Sequence, residues 1–332
     1  MSAVRIFLSG VASASHLIYV GAYLDARLCA GDQVTLVCLG FSRFLGQQHV
    51  DLDLVRRELP AHPALRVLGA EAGWAAQPGE ALVYLAVGAP GIKPWLRLKR
   101  ANPWRRLRCV VVDEGLGSYG DWRARLAAIR REGGHGWRAT LRALVVSTAQ
   151  RLLADQRWAL YRPQGSGWIV EPQIADWFRQ RLSGTADGAA RLYFISQPWV
   201  ELGQVEVGRY QVVLAQLAAH AETAGLKLMV RPHPAEDRAK YGDLPLDLTP
   251  GPIELSRMAA EAVAVAGFNS TALVNLAAIH HRAVFRIELP ELAAVESGLA
   301  PRQRSLLAAF LPPPRPLAAL PEWLEQRSGA KR

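Results

Sequence analysis

Short apolar runs that halt at Gly, Pro or a charged residue recur along this 332-residue chain, and three of them halt at clusters of functional groups. Cys109-Val110-Val111-Val112 runs into Asp113-Glu114-Gly115. Leu226-Lys227-Leu228-Met229-Val230 runs into Arg231-Pro232-His233-Pro234, and Ala262-Val263-Ala264-Val265-Ala266 into Gly267-Phe268-Asn269-Ser270-Thr271. Runs of this length and β-branched content, bounded by turn residues, read as buried parallel strands. In open α/β sheets, ligands bind in the crevice beyond the carboxyl ends of the strands. A carboxylate pair, an imidazole beside a guanidinium and a hydroxyl pair all fall on that edge. This layout predicts a site for an anionic, nucleotide-like ligand.

The pattern along the chain predicts an α/β protein. In the first half, strands are expected at 4–8, 33–39, 65–68, 81–87 and 108–112. A small-residue turn at 9–15 and a helix at 16–28 follow the first of them. Helices are expected at 121–132 and 137–158. Turn-rich stretches at 163–167 and 183–188 bracket 168–182 and mark a connection between domains. The alternation then restarts, with strands at 192–195, 227–230, 262–266 and 283–287. Helices are expected at 205–224, 253–260, 271–279 and 301–310, and Pro312-Pro313-Pro314 precedes a last helix to 326. Two parallel-sheet, Rossmann-like domains of similar size are therefore expected, 1–185 and 186–332, facing a central cleft. For the last helix two readings stand side by side, packing back on the first domain and peripheral contact with anionic lipid.

Composition narrows the class further. No apolar stretch reaches the roughly 18–20 residues that span a bilayer. The first eight residues follow a strand pattern rather than a signal-peptide layout, so a cytoplasmic location is expected. Cys29, Cys38 and Cys109 are odd in number and lack CxxC spacing, which reads as reduced thiols with neither a disulfide frame nor a zinc site. The formal charge is +10, and basic residues crowd 97–100, 105–108 and 123–138 with Trp95, Trp104, Trp122 and Trp137 interleaved. Three readings fit that pattern: a solvated Arg-rich surface, peripheral contact with an anionic inner-membrane leaflet, or nucleic acid, the least favoured of the three. The terminal segment Pro321-Glu322-Trp323-Leu324, with Arg327, Lys331 and Arg332, joins the membrane reading.

Each cluster carries a functional reading beside a plain one. Pro232 and Pro234 stiffen the backbone around His233, so that His233 and Arg231 could hold a phosphate; the alternative is a structural His-Pro turn. Asn269 or Ser270 could simply cap the helix that follows, or the same helix start, with Ser270 and Thr271, could coordinate an anion. Asp113 and Glu114 precede Gly115 and Gly117, which let the chain turn. They could supply a general base, hold Mg²⁺ or Mn²⁺, or form a solvated acidic turn. The cluster contains no Asp-x-Asp of the kind used by metal-dependent sugar transferases.

In order and placement, Asp113-Glu114-Gly115, His233-Pro234 and Ser270-Thr271 resemble motifs of the bacterial sialyltransferases and polysialyltransferases, glycosyltransferase families 52 and 38. Those enzymes carry an acidic motif ending in Gly, then His-Pro, then a Ser/Ser-Thr motif. Tyr193-Phe194-Ile195-Ser196-Gln197-Pro198 looks like the opening of their second domain. About a dozen residues carry the resemblance. It implies a GT-B fold and inverting, metal-independent transfer of a nonulosonic acid from its CMP-activated donor, with no cofactor. The acceptor implied is a hydroxyl of a bacterial surface glycan or glycoconjugate. On the matching positions, Glu114 is the implied base with Asp113 beside it, and His233 the group that meets the departing phosphate. Pro234, Ser270 and Thr271, with Asn269 beside them, bind the donor; Arg231 joins them on charge grounds alone. Gly10, Ser13, Ser15, His16, Gly115, Gln197 and Pro198 would line the cleft. The chain is shorter than typical capsule polymerases, which favours single transfer over polymerisation.

A CMP-activated ketose is already labile, so the chemistry needs phosphate neutralisation on one side and a base on the other, with water excluded. A CMP-Kdo or other nucleotide-sugar transferase fits the same residues. A UDP-sugar epimerase and a non-catalytic binder in a surface-glycan cluster are the more distant readings.

Overall fold

The computed structural model describes residues 2–42, 50–131, 133–184 and 188–328. The chain divides into two compact units, Met1–Trp177 and Phe178–Arg332. The boundary expected between 185 and 186 lies outside the described residues.

The first unit is built on β1 (Ala3–Ser9), α1 (Ala14–Cys29), β2 (Gln33–Cys38), α2 (Leu52–Glu58), β3 (Leu65–Leu68), β4 (Ala81–Val87), α3 (Ile92–Ala101) and β5 (Leu107–Val112). It continues through α4 (Trp122–Arg131), α5 (Gly136–Leu153), β6 (Gln156–Trp158), β7 (Tyr161–Gln164), β8 (Gly167–Val170) and α6 (Pro172–Gln180), which crosses the boundary. Six strands form one sheet in the order β3-β2-β1-β4-β5-β6, every pair parallel. Strands covered on both faces are apolar throughout rather than alternating, and β1 and β4 are buried along nearly their whole length for that reason. One face packs Phe7, Val37, Tyr84, Leu98 and Cys109 together. On α1, Gly21 leaves no room for a Cβ because the Trp177 indole lies against it.

The second unit contains β9 (Arg191–Ile195), α7 (Val207–Thr223), β10 (Lys227–Arg231), α8 (Arg257–Ala260), β11 (Ala264–Gly267), α9 (Thr271–His280) and β12 (Val284–Arg286). It ends with α10 (Ala293–Ser297), α11 (Pro301–Phe310) and α12 (Leu320–Ser328). Its sheet has four parallel strands in the order β10-β9-β11-β12. Phe194 and Phe268 meet edge-to-face at 5.9 Å within the core beneath it. Both sheets are Rossmann-like, and at six and four strands they are less equal than the sequence pattern implied.

Several expectations need correction. The helix expected over 137–158 stops at Leu153, and 156–158 is a sixth strand paired with β5. The stretch bracketed at 168–182 is not a bare connection: β7 and β8 form an antiparallel hairpin around Gly165-Ser166, with Gly165 at φ +58°, and α6 follows. The segment 253–260 is a 3-10 turn and a short helix joined at Ser256 rather than one helix. The last helix belongs to the second unit's own core, where Leu320, Trp323 and Leu324 are buried and the Trp323 ring sits 5.4 Å from Phe285. A Trp323 packed in this way is not available to a lipid surface.

Cys38 and Cys109 are buried free thiols, each pushed up to about 12 by desolvation, and Cys29 is exposed. Among the described residues, no helix is long and apolar enough to cross a membrane.

Candidate functional site

In the first sheet the strand order reverses between β1 and β4, and each of these strands is followed directly by a glycine. Gly10 has φ +87° and Gly88 φ +72°, conformations that L side chains adopt only at a cost. A Cβ on Gly10 would lie 2.7 Å from the Val87 carbonyl oxygen, so the two strand ends approach closely only because Gly10 lacks one. The Gly88 N–H donates to the Val112 carbonyl at 2.8 Å, tying this reversal to the end of β5, where the acidic cluster begins.

The two carboxylates of that cluster part company. Asp113 turns inward and is buried, its Oδ2 accepting from the Tyr119 hydroxyl and, at 2.9 Å, from the Leu160 N–H. Burial pushes its pKa up to about 6, against the pull of those hydrogen bonds. Asp113 therefore leaves the catalytic set: it pins the 3-10 turn Leu116–Tyr119 and the approach to β7 from inside the protein. Glu114 takes the opposite direction and is half-buried. Its carboxylate occupies space that a side chain on Gly88 would fill, and a Cβ on Gly117 would come within 2.7 Å of Oε1. Two glycines thus cradle one carboxylate at the switch point. Gly115, at φ +107°, makes the turn between them, and the Glu114 N–H donates to Ser118 Oγ at 2.9 Å.

His16 joins this edge as a brace. Its Nδ1 accepts from the Ala12 N–H at 3.2 Å, and it is hydrogen-bonded to the backbone of Glu114 and Gly10. Desolvation lowers its pKa to about 4, so the ring is neutral at ordinary pH. Ser13 stands at the cap position of α1 without a side-chain capping bond, and Ser15 lies in that helix's first turn; both are partly accessible. Gln150, unremarked in the sequence, reaches from α5 to donate to the Gly88 carbonyl at 2.9 Å.

The second sheet repeats the logic, with its reversal between β9 and β11. Gln197 Nε2, beyond β9, donates to the Asn269 carbonyl at 3.1 Å, beyond β11, so the sequence-predicted residues of these two loops are joined. Pro198 beside it is buried. Ser270 is the N-cap of α9, its Oγ accepting from the Leu273 N–H at 3.1 Å. The capping role is thus real, and Ser270 and Thr271 remain partly accessible at the start of a ten-residue helix. The Asn269 side chain is committed elsewhere. Its Oδ1 accepts from Arg286 Nε at 2.6 Å and its Nδ2 donates to Glu296, which pairs with Arg286 at 2.7 Å. Asn269 holds the loop in shape.

At the end of β10 the guanidinium does not do what the sequence suggested. Arg231 donates to the carbonyls of Thr249 and Gly251 at 2.6 Å each and of Asp247 at 3.2 Å, and its Nη1 lies 3.4 Å from the Asp247 carboxylate. It clamps the 247–251 loop and leaves the phosphate-binding set. His233 Nδ1 accepts from the Ala235 N–H at 3.2 Å, which assigns the proton of the neutral ring to Nε2. Pro234 is exposed.

Glu236 fixes the His233 turn and was missed in the sequence. This buried carboxylate accepts from the His233 N–H, from Tyr241 OH at 2.7 Å, from Ser196 Oγ at 2.7 Å and from Lys240 Nζ at 2.8 Å. Lys240 in turn pairs with Glu201 at 3.0 Å. The only signal available was a carboxylate three positions after His233, a spacing suited to a side chain that closes a tight turn on the backbone.

Chemically, the first unit offers a half-buried carboxylate, and the second an imidazole whose Nδ1 accepts from the Ala235 N–H and a capped helix start. Among the described residues, no cluster of three or more His, Cys, Asp or Glu side chains could hold a metal ion.

No protein-family model and no curated protein sequence matches this chain. Solved structures do. A UDP-GlcNAc 2-epimerase from Neisseria meningitidis bound to UDP-GlcNAc superposes with a TM-score of 0.55 at 10% identity, over 98% of this chain and 91% of that one. A structure described as a UDP-N-acetylglucosamine 2-epimerase from Listeria monocytogenes gives 0.57 at 10% identity, over 100% and 89%. An α-2,3-sialyltransferase from Photobacterium phosphoreum matches more loosely, at 0.48 and 8% identity over 93% and 96%. Likeness at such identity establishes the fold: two Rossmann-like units of the GT-B class.

Proposed function

We propose that this chain is an inverting glycosyltransferase that moves a nonulosonic acid from its CMP-activated donor to a hydroxyl of a bacterial surface glycan or glycoconjugate. The observation that carries the reading is the Glu114 carboxylate, which lies at the switch point of the first sheet in space that Gly88 and Gly117 leave open. A partly desolvated carboxylate with a rigid backbone suits removal of a proton from an acceptor hydroxyl. The acceptor oxygen then attacks the anomeric carbon, and the bond to the CMP phosphate breaks with inversion. His233 Nε2–H and the start of α9, with Ser270 and Thr271, meet the charge that appears on the phosphate oxygen. Because protein donors supply that neutralisation, the reading needs no metal and no cofactor. The chain acts in the cytoplasm, where CMP-sugars are made.

The deciding experiment is a thermal-shift comparison of CMP, CDP, UDP and GDP on the full chain. A ligand that binds only the native state raises its melting temperature. A shift with CMP, reduced in His233→Ala and Ser270→Ala, supports the reading; a shift with UDP alone sinks the CMP-sugar donor. Transfer that disappears with EDTA and returns with Mn²⁺ sinks metal independence.

A second reading, a UDP-sugar epimerase, draws on the full-length superposition with structures of that description. The two separate on acceptor dependence. An epimerase turns over its UDP-sugar with no acceptor present, whereas the transferase consumes donor productively only with one. A CMP-Kdo transferase uses the same residues and separates from the main reading only by donor competition.

A further inference from the structure

Among the described residues, eight of the eleven exposed large apolar side chains lie between Ile92 and Leu152, all in the first unit. Five of them are on α5: Trp137, Leu141, Leu144, Val145 and Leu152, with Trp137 70% and Leu152 74% exposed. At 100° per residue these five positions, with Thr148, fall within an arc of about 100°. The opposite side carries the buried Ala139 and Ala143 and packs into the unit. A helix that faces inward with alanine and outward with Trp, Leu and Val inverts the usual order of a surface helix.

The charges beside this stripe identify what covers it. Arg138 and Arg142 border it on one side and Arg151 on the other, and the Arg138 guanidinium lies 5.8 Å from the Trp137 ring. The helices α3, α4 and α5 hold eleven Lys and Arg residues and not one Asp or Glu. Two copies meeting through this face would set arginine against arginine with no acid to separate them. Nucleic acid needs cations at the centre of its footprint, and the centre here is Leu and Val. An apolar stripe rimmed by arginine and bearing a Trp matches the interfacial layer of an anionic bilayer: the stripe enters the acyl boundary and the guanidinium groups stay with the headgroups. At 18 residues the helix lies in that plane rather than crossing it.

We propose that the outer face of α5 is a docking surface for an anionic lipid bilayer. Docking of this face needs nothing from the chemistry proposed above. It has a consequence for placement, because Gln150, on the same helix, is bonded to the Gly88 carbonyl at the edge that carries Glu114.

The test is flotation of the full chain with phosphatidylcholine vesicles, with and without phosphatidylglycerol. The wild-type chain is expected to float with the anionic vesicles, less so at high salt, and to stay behind with phosphatidylcholine alone. Leu141→Glu/Leu144→Glu is expected to abolish flotation. Arg138→Gln/Arg142→Gln should weaken it by about fivefold for each arginine removed. Val212→Glu, an exposed apolar position on α7 in the second unit, is the control and should float as the wild type does. All the altered side chains are exposed, and an unchanged melting curve confirms that each variant is folded. Wild-type protein that ignores anionic vesicles overturns the proposal, as does a Leu141→Glu/Leu144→Glu variant that floats normally. A dimer in light scattering that this double variant dissolves, without vesicle binding by the wild type, reassigns the face to self-association. Retention of a single-stranded oligonucleotide that the double variant leaves intact assigns the basic residues to nucleic acid instead.

Discussion

Glu114→Gln is expected to reduce transfer by about 10²–10⁴-fold, the usual worth of a positioned general base. Stability and the CMP-induced melting shift should stay close to wild type, because glutamine fills the same cradle. A Glu114→Gln enzyme with normal kcat removes the base assignment. Gly88→Ala probes the cradle itself: a methyl at φ +72° strains the backbone by about 1–2 kcal/mol and collides with the carboxylate. Displacing the base by about 1 Å is expected to lower kcat by about 10²-fold with the donor KM little changed. A Gly88→Ala variant that retains full kcat shows that the carboxylate need not sit where the glycines hold it. The pair Asp113-Glu114 also marks a boundary of sequence reading. Two adjacent carboxylates after a strand look alike on paper. Their fates diverge because Tyr119 and Leu160 claim the first, and Gly88 and Gly117 leave space for the second.

Helix α9 starts at a hydroxyl whose capping duty is plain. Ser270→Ala removes the capping bond to Leu273 and is expected to cost about 1 kcal/mol of stability, read by urea unfolding. If Ser270 Oγ also meets the donor phosphate, Ser270→Gly weakens CMP binding as much as Ser270→Ala does, although glycine is a tolerable cap and leaves stability close to wild type. Equal CMP affinity in both variants and the wild type confines Ser270 to the cap. The elements themselves were legible wherever an apolar run was long. Strands 65–68 and 81–87 fall where the pattern put them. Strand β6 escaped because Gln156-Arg157-Trp158 contains no apolar run and follows α5 almost without a break. Its strand character comes from pairing with β5, a tertiary event. The terminal segment reads as a Trp-bearing helix followed by Arg327, Lys331 and Arg332, which allowed a lipid-facing assignment; Phe285 and the core of the second unit claim Trp323 instead.

Folding stability of the whole molecule should carry the imprint of two oppositely shifted groups in the first unit. His16 titrates near 4 in the folded state against 6.5 in the unfolded chain. As pH falls through that window the unfolded chain takes up a proton that the folded one refuses, and stability drops, by about 2 kcal/mol near pH 5. Asp113 runs the other way. Its folded pKa is about 6 against 3.8, so stability drops as pH rises through that window while the unfolded chain gives up its proton first. The two slopes oppose each other between pH 4 and 6. Urea unfolding of His16→Gln should therefore show stability that falls with rising pH across this window, and Asp113→Asn stability that rises with pH. Parallel pH profiles for wild type and both variants would contradict the burial assigned to these groups.

What the sequence determined by itself was the class of the fold and the strand edge on which its polar clusters gather. Parallel strands buried on both faces have to be apolar throughout, and their polar residues are displaced to the ends, so the clusters announce themselves. Which member of each cluster turns outward was settled only by the tertiary structure. A guanidinium at a strand end reads the same whether it awaits a phosphate or, like Arg231, grips carbonyls of a distant loop. Glu236, Gln150 and Gly88 matter because folding brings them to His233 and Glu114, and local pattern contains no record of that approach.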